Sequence, residues 1–330
     1  MKMLDIFGTL GPSCANENTL YQMFKSGMTG IRINLSHMNL KDCKTWLDMV
    51  KKTSALANVE PKILIDMRGP ELRIKDLTIP LELMVSKTVI LGEDIPVPEI
   101  IFSYLEKGDH ILLDDGKFLL EVLELNDKKA TCKVIHGGIL TSKKSLSIES
   151  KNIAMPTLTD SDIENLKVAK EYGITGIMQP FVRDENDLIV IQDTLKKYDI
   201  QGLKVYAKIE NISGVKHLEQ MFPYCDEIVI ARGDLGNSMP IYELPAVSSH
   251  IQQLCQRYKK PYMIVTQMLN SMIKNPVPTR AEVSDIFYAV YHGASSIMLT
   301  GETAIGLYPI KTMDMFVKTA NTALQYKNTK

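Results

Sequence analysis

A chain of 330 residues with 45% hydrophobic and 23% charged residues can bury a large core, which excludes intrinsic disorder, collagen and small disulfide scaffolds. Its 38 Lys plus Arg against 39 Asp plus Glu leave a formal charge of −1, so no global basic field exists to draw nucleic acid or an anionic membrane. The five cysteines are scattered, with no close CxxC pair for zinc or redox chemistry, and read as reduced thiols of a cytoplasmic protein. No apolar run approaches the roughly 20 residues of a membrane span, and the first residues lack a signal-peptide core.

In chain order, short apolar runs alternate with longer amphipathic stretches, the pattern of repeated βα units on a parallel sheet. Strands are predicted over 4–7, 30–33, 62–65, 176–179, 204–207, 227–230, 262–265 and 296–299. Helices are predicted over 18–25, 40–57, 160–172, 184–198, 246–259, 281–292 and 309–326. Eight such repeats fit an α/β protein of the closed (β/α)8 TIM-barrel type. From about Asp76 the rhythm breaks into short runs at 87–91, 110–113, 117–122 and 130–135, with turn chemistry at Asp114-Asp-Gly-Lys and Leu125-Asn-Asp-Lys. This reads as a small antiparallel β domain, residues 76–153, inserted in a discontinuous barrel of residues 1–75 and 154–330.

Catalytic groups of such barrels project from the C-terminal strand ends, and those ends are polar here. The second strand runs into Arg32-Ile-Asn34-Leu-Ser36-His37 and the third into Asp66-Met67-Arg68-Gly69-Pro70-Glu71-Leu72-Arg73. The fifth ends in Lys208-Ile-Glu210-Asn211, the sixth in Ala231-Arg232-Gly233-Asp234, the seventh in Thr266-Gln267 and the eighth in Thr300-Gly301-Glu302-Thr303. Glu210 and Asp234 follow adjacent strands, where two carboxylates would share a hard divalent cation or pair with Lys208 or Arg232. Lys208 lies two residues from Glu210 on one side of its strand, able to face a phosphoryl group or an enolate oxygen, or to form an ion pair with Asp234. Arg32 and Arg73 could fork phosphate oxygens or stand as surface cations. Asn34, Ser36 and Asp66 offer oxygens to a larger, weakly bound cation, while Asn34 and Ser36 could equally cap the next helix. Thr266 could relay a proton through water, or cap.

Together with Thr266-Gln267-Met268-Leu269, Pro278-Thr279-Arg280-Ala281-Glu282 and Gly301-Glu302-Thr303-Ala304, these motifs resemble pyruvate kinase in order, spacing and position of the insert. The resemblance implies a barrel A domain with a small β-barrel B domain as lid, moving phosphate from phosphoenolpyruvate to ADP to give pyruvate and ATP. It implies Mg²⁺ or Mn²⁺ on Glu210 and Asp234, and K⁺ on Asn34, Ser36, Asp66 and the Met67 carbonyl. Gly233, Asp234 and Thr266 would bind the substrate, Lys208 and Arg32 would stabilise the moving phosphoryl group, and Thr266 with water would protonate the enolate. Arg73, His37 and Lys144 fall to the nucleotide side. Glu71 matches potassium-dependent members, which implies activation by a monovalent cation.

The chain stops after the eighth barrel helix, where most members continue into a C-terminal effector domain. The expectation is therefore no activation by fructose bisphosphate, and a monomer or homodimer rather than a tetramer. Departures from the family pattern are Met67 for threonine, Arg68 for lysine, Pro180 for a serine near the substrate, and Ile305 for a lysine near the nucleotide. Asn237-Ser238, Phe287-Tyr288 and His292 differ as well. These leave open a paralogue with another phosphoryl acceptor or enolpyruvate reaction, or a non-catalytic sensor of phosphoenolpyruvate.

Overall fold

The computed structural model describes residues 4–36, 38–69, 72–114, 116–149, 151, 153 and 155–329. The chain opens with β1 (Asp5–Thr9), α1 (Glu17–Lys25), β2 (Gly30–Asn34), α2 (Lys44–Leu56) and β3 (Lys62–Asp66). Seven short strands follow: β4 (Leu81–Leu83), β5 (Thr88–Leu91), β6 (His110–Leu113), β7 (Phe118–Asn126), β8 (Lys129–His136), β9 (Gly138–Leu140) and β10 (Leu146–Ile148). The βα rhythm resumes with α3 (Asp160–Ala169), β11 (Gly176–Gln179), α4 (Glu185–Lys197), β12 (Lys204–Ile209), α5 (Ile212–Lys216), α6 (Leu218–Met221) and β13 (Glu227–Ala231). It closes with α7 (Arg232–Asn237), α8 (Leu244–Arg257), β14 (Tyr262–Val265), α9 (Arg280–Tyr291), β15 (Ser296–Met298), α10 (Gly301–Ala304) and α11 (Pro309–Asn328).

Eight parallel strands close in the order β1-β15-β14-β13-β12-β11-β3-β2, each predicted strand taking its place in the barrel. The strands are buried on both faces, so their sequences are continuous apolar runs rather than alternating ones. The first runs on past Phe7, because Gly8 and Thr9 keep pairing with Ile31 and Arg32. Local chemistry starts the helices: Asn16 and Asp184 cap α1 and α4, while Thr159 and Thr279 form capping boxes with Asp162 and Glu282 on α3 and α9. The stretch predicted as one helix over 40–57 divides into a 3₁₀ turn at Leu40–Cys43 and then α2. The short helices α5, α7 and α10 just beyond strand ends were not predicted, since four to six residues carry too little periodicity.

Phe7, Leu64, Met178, Tyr206, Val229, Met263, Val265 and Met298, contributed by seven of the strands, fill the barrel. Gly30 is the counterpart of the Phe7 ring, since a Cβ there would lie 2.4 Å from Phe7 Cε1. The inserted strands pair antiparallel, in the order β10-β6-β7-β8-β5 with β4 and β9 as a separate pair, and the predicted Asp114 and Leu125 turns join β6 to β7 and β7 to β8. Chain contacts divide the molecule into one unit of Met1–Gly69, Thr157–Arg232 and Pro245–Lys330, and a second of Pro70–Pro156 and Gly233–Leu244. The second has its own core, in which Leu91, Ile95, Ile101, Ile111, Leu113 and Leu120 are fully buried.

Candidate active site

The barrel strands place the polar groups by parity. Side chains two residues apart share a side of a strand, so Asp66 continues the inward face begun by Leu64, and Lys208 and Glu210 continue that begun by Tyr206. Arg32 pairs in register with Leu64 and Thr9, which turns it to the same interior. A charged layer therefore caps the apolar filling at the C-terminal end of the barrel.

The charges in that layer alternate in sign. Arg32 donates to Asp66 Oδ2 through Nη2 at 2.6 Å and Nε at 3.0 Å, and reaches Thr9 Oγ1 at 3.4 Å. Lys208 Nζ lies 3.2 Å from Asp66 Oδ2 and 2.8 Å from Glu210 Oε1. The Asp66 side chain is 4% exposed and that of Glu210 is fully buried. Burial by itself would raise the Asp66 carboxyl, but the Lys208 ammonium and Arg32 guanidinium outweigh it and hold the group below the usual carboxylate range. Carboxylates rather than water thus offset the desolvation of both side chains. Lys208 forms ion pairs with Asp66 and Glu210.

Glu210 Oε2 accepts the Phe181 amide at 2.7 Å, from a residue held at φ +54° directly after Pro180. Glu210 Oε1 is buried without a hydrogen bond of good geometry, although Lys208 is near. A carboxylate oxygen in that state has a lone pair left for a cation. Gly233 and Asp234 lie in the first turn of α7, directly beyond β13, the strand paired with the one that leads to Glu210. Among the described residues, no three His, Cys, Asp or Glu side chains gather to hold a metal.

Asn34 stands opposite Asp66 in the pairing of β2 with β3, and Ser36 and Met67 come just after them. That register collects the four proposed oxygen donors at neighbouring strand ends. Asn34 Oδ1 accepts the Ser36 amide at 3.1 Å, but neither residue caps the next helical turn, whose N-cap is Asn39 with a capping box to Asp42. Arg73 comes seven residues after the end of β3 at Asp66. It belongs to the inserted unit, bridges to Ser145, and donates to the Lys143 carbonyl at 2.8 Å, because the chain has already left β3. Lys144, in the same unit, forms an ion pair with Asp114 at 3.0 Å. His37 and Glu71 lie outside the described residues.

Thr266 directly follows β14 with φ +74°, and Gln267 comes next at φ +55°. Consecutive left-handed residues that are not glycine cost about 1–3 kcal/mol each and persist only where neighbours enforce them. Thr266 Oγ1 donates to the Val265 carbonyl at 2.6 Å. Three contributors escaped the sequence reading: Asp285, which binds Arg232; Phe181, which supports Glu210; and Glu302, quoted only as part of a motif, whose buried carboxylate accepts the Leu269 and Thr300 amides. Each partner is remote in sequence or offers only its main chain, so no local spacing marks it.

A (β/α)8 barrel interrupted after its third strand by an antiparallel β unit, with a layer of arginine, lysine and carboxylates at its strand ends, defines the class: an α/β protein of the interrupted TIM-barrel type. The chain belongs to the pyruvate kinase family, whose barrel-domain model matches residues 1–313. It is 33% identical over 342 aligned positions to a pyruvate kinase of Staphylococcus saprophyticus and 32% identical to one of Staphylococcus haemolyticus, in each case over 99% of this chain and 58% of the relative. A solved pyruvate kinase from Cryptosporidium parvum superposes with a TM-score of 0.90 at 27% identity, over 98% of this chain and 70% of that one. The chain thus spans 58% of the length of the curated relatives it matches. Among the described residues, no helix is long and apolar enough to cross a membrane.

Proposed function

We propose that this chain transfers the phosphoryl group of phosphoenolpyruvate to ADP, giving pyruvate and ATP, in a discontinuous barrel, residues 1–75 and 154–330, with residues 76–153 as its lid. The observation that carries the reading is the buried Arg32–Asp66–Lys208–Glu210 chain of charges at the barrel mouth. Phosphoryl transfer asks a protein for fixed positive charge around oxygens that gain negative charge, and for little else. Arg32 and Lys208 supply it, and Asp66 orients both while Glu210 completes the balance of charge in the layer.

In this reading an ADP oxygen forms a new bond to phosphorus while the bond from phosphorus to the enol oxygen breaks, leaving the enolate of pyruvate. Lys208 and Arg32 face the transferring oxygens, and Lys208 also steadies the enolate oxygen. The enolate carbon then takes one proton, its C=C electron pair becoming the new C–H bond and the oxygen becoming the ketone. Thr266 and water deliver that proton. The first turn of α7, with Gly233 and Asp234, receives the substrate carboxylate.

The reading assigns a divalent cation to Glu210 and Asp234, and Glu210 Oε1, buried with Lys208 Nζ 2.8 Å away but without a hydrogen bond of good geometry, has acceptor capacity left for it. Bound there, Mg²⁺ or Mn²⁺ supplies positive charge against substrate carboxylate and phosphate oxygens. Asn34, Ser36, Asp66 and the Met67 carbonyl make a mixed neutral and anionic oxygen set that suits K⁺, and activation by K⁺ belongs to the proposal. Arg73, His37 and Lys144 are assigned to the nucleotide, and the reading places the reaction in the cytoplasm.

The test follows pyruvate formation from phosphoenolpyruvate and ADP with Mg²⁺, with K⁺ or a bulky organic cation, beside Lys208→Met. The expected result is turnover that rises with K⁺ and falls at least about a thousandfold in the variant, the scale of losing an electrostatic stabiliser. Absence of turnover with Mg²⁺-dependent binding of phosphoenolpyruvate intact would instead favour a sensor. A second reading, another phosphoryl acceptor, is favoured by Ile305, a 63% exposed apolar side chain where the family has lysine. A screen of nucleoside diphosphates and small acceptors separates the two.

A further inference from the structure

The segment that leaves β14 is held at both ends. At its far end the Leu269 amide donates to Glu302 Oε1 at 3.1 Å, and Glu302 is buried. At its near end the carbonyl of the left-handed Thr266 accepts from Arg232 Nη2 at 2.9 Å, and the same nitrogen lies 2.9 Å from Met268 Sδ. Arg232 is itself fixed, since its Nη1 donates to Asp285 Oδ1 of α9 at 2.7 Å and its side chain is 17% exposed. A guanidinium bound on one prong to a carboxylate and on the other to a main-chain carbonyl is a rigid strut, which a flexible ammonium could not replace. The strut joins the start of α7 to the kink that carries Thr266, within one compact unit of the chain.

We propose that Arg232 is a positioning residue for the Thr266 hydroxyl: it pins the left-handed backbone at Thr266 and Gln267, and Asp285 locks the arginine in place. This inference rests on the reading in which Thr266 helps to protonate the enolate of pyruvate. Without the bond to its carbonyl, the Thr266 backbone can relax to an ordinary extended or helical conformation, which swings the hydroxyl away. Arg232 then affects the chemical step through Thr266 alone and leaves the phosphoenolpyruvate contacts of Lys208 and Arg32 in place.

The experiment measures kcat for pyruvate formation and KM for phosphoenolpyruvate in the whole chain, for R232Q, D285N and T266V, and for R232Q and D285N each combined with T266V. The expected result is a kcat lowered at least about tenfold in R232Q and less in D285N, with KM within about twofold. In the T266V background each change should cost less than about twofold more, because residues acting through one group are not additive. Losses that multiply with that of T266V, a shift mainly in KM, or an unchanged kcat would each overturn the proposal. Should R232Q fail to fold, D285N decides by the same two criteria. Absence of turnover in the unaltered chain brings down the enzymatic reading and this inference with it, a result distinct from losses seen only in the variants.

Discussion

At the scale of single residues, the barrel mouth depends on Asp66, which serves two cations at once. Replacing it by asparagine leaves Arg32 and Lys208 buried against a neutral amide, at an expected cost of about 3 kcal/mol at neutral pH. The cost depends on pH in a defined direction. Folded Asp66 titrates below its unfolded value of about 3.9, so its contribution is complete above about pH 5 and is lost as the pH falls through the folded value. Thermal melts of both proteins should therefore differ most above about pH 5 and converge in acid; a constant gap would contradict the assignment. Asp66, Lys208 and Glu210 could be named from the sequence because each directly follows or ends an apolar run, and Arg32 because it interrupts one. That Lys208 also pairs with Asp66 from another strand, and that Arg232 pairs with Asp285, could not be read there. Ion pairs form across strands and helices brought together only by closure of the barrel.

At the scale of elements, the turn after β3 illustrates how a short loop is made rigid. Asp162 accepts the amides of Arg68 at 2.8 Å and Gly69 at 3.1 Å while its other bonds cap α3 through Thr159, so one buried carboxylate ties the end of β3 to the start of α3. Gly69 sits at φ +60°, and a Cβ there would come 2.4 Å from Pro180 Cγ. Both facts oppose any side chain. Gly69→Ala should therefore cost about 2–3 kcal/mol in urea unfolding, more than the usual glycine-to-alanine change in a loop, and a neutral or stabilising result would rule out this geometry. The glycine was visible in the sequence, but its reason was not: Pro180 lies 111 positions further along the chain. The long helices were legible from apolar period and caps. The short ones at strand ends were not, because their residues are chosen for the mouth rather than for a hydrophobic face.

At the scale of the whole molecule, two cores follow one another in a single chain, the barrel filling and the cluster of the inserted unit. Each can lose its packing separately, so differential scanning calorimetry should give a van't Hoff enthalpy below the calorimetric one. A ratio of one would mean that the two units unfold as one body. The sequence by itself determined the number and order of the barrel strands, the position and antiparallel nature of the insert, and the residues at each strand end. These are local matters of apolar run length, period and turn chemistry, written into consecutive residues. The tertiary structure alone decided which charges pair across strands, that the Phe181 amide supports Glu210, and what holds Thr266 in a left-handed kink. Those depend on register and closure, which bring together residues tens to hundreds of positions apart, and no short window of sequence records the distance between them.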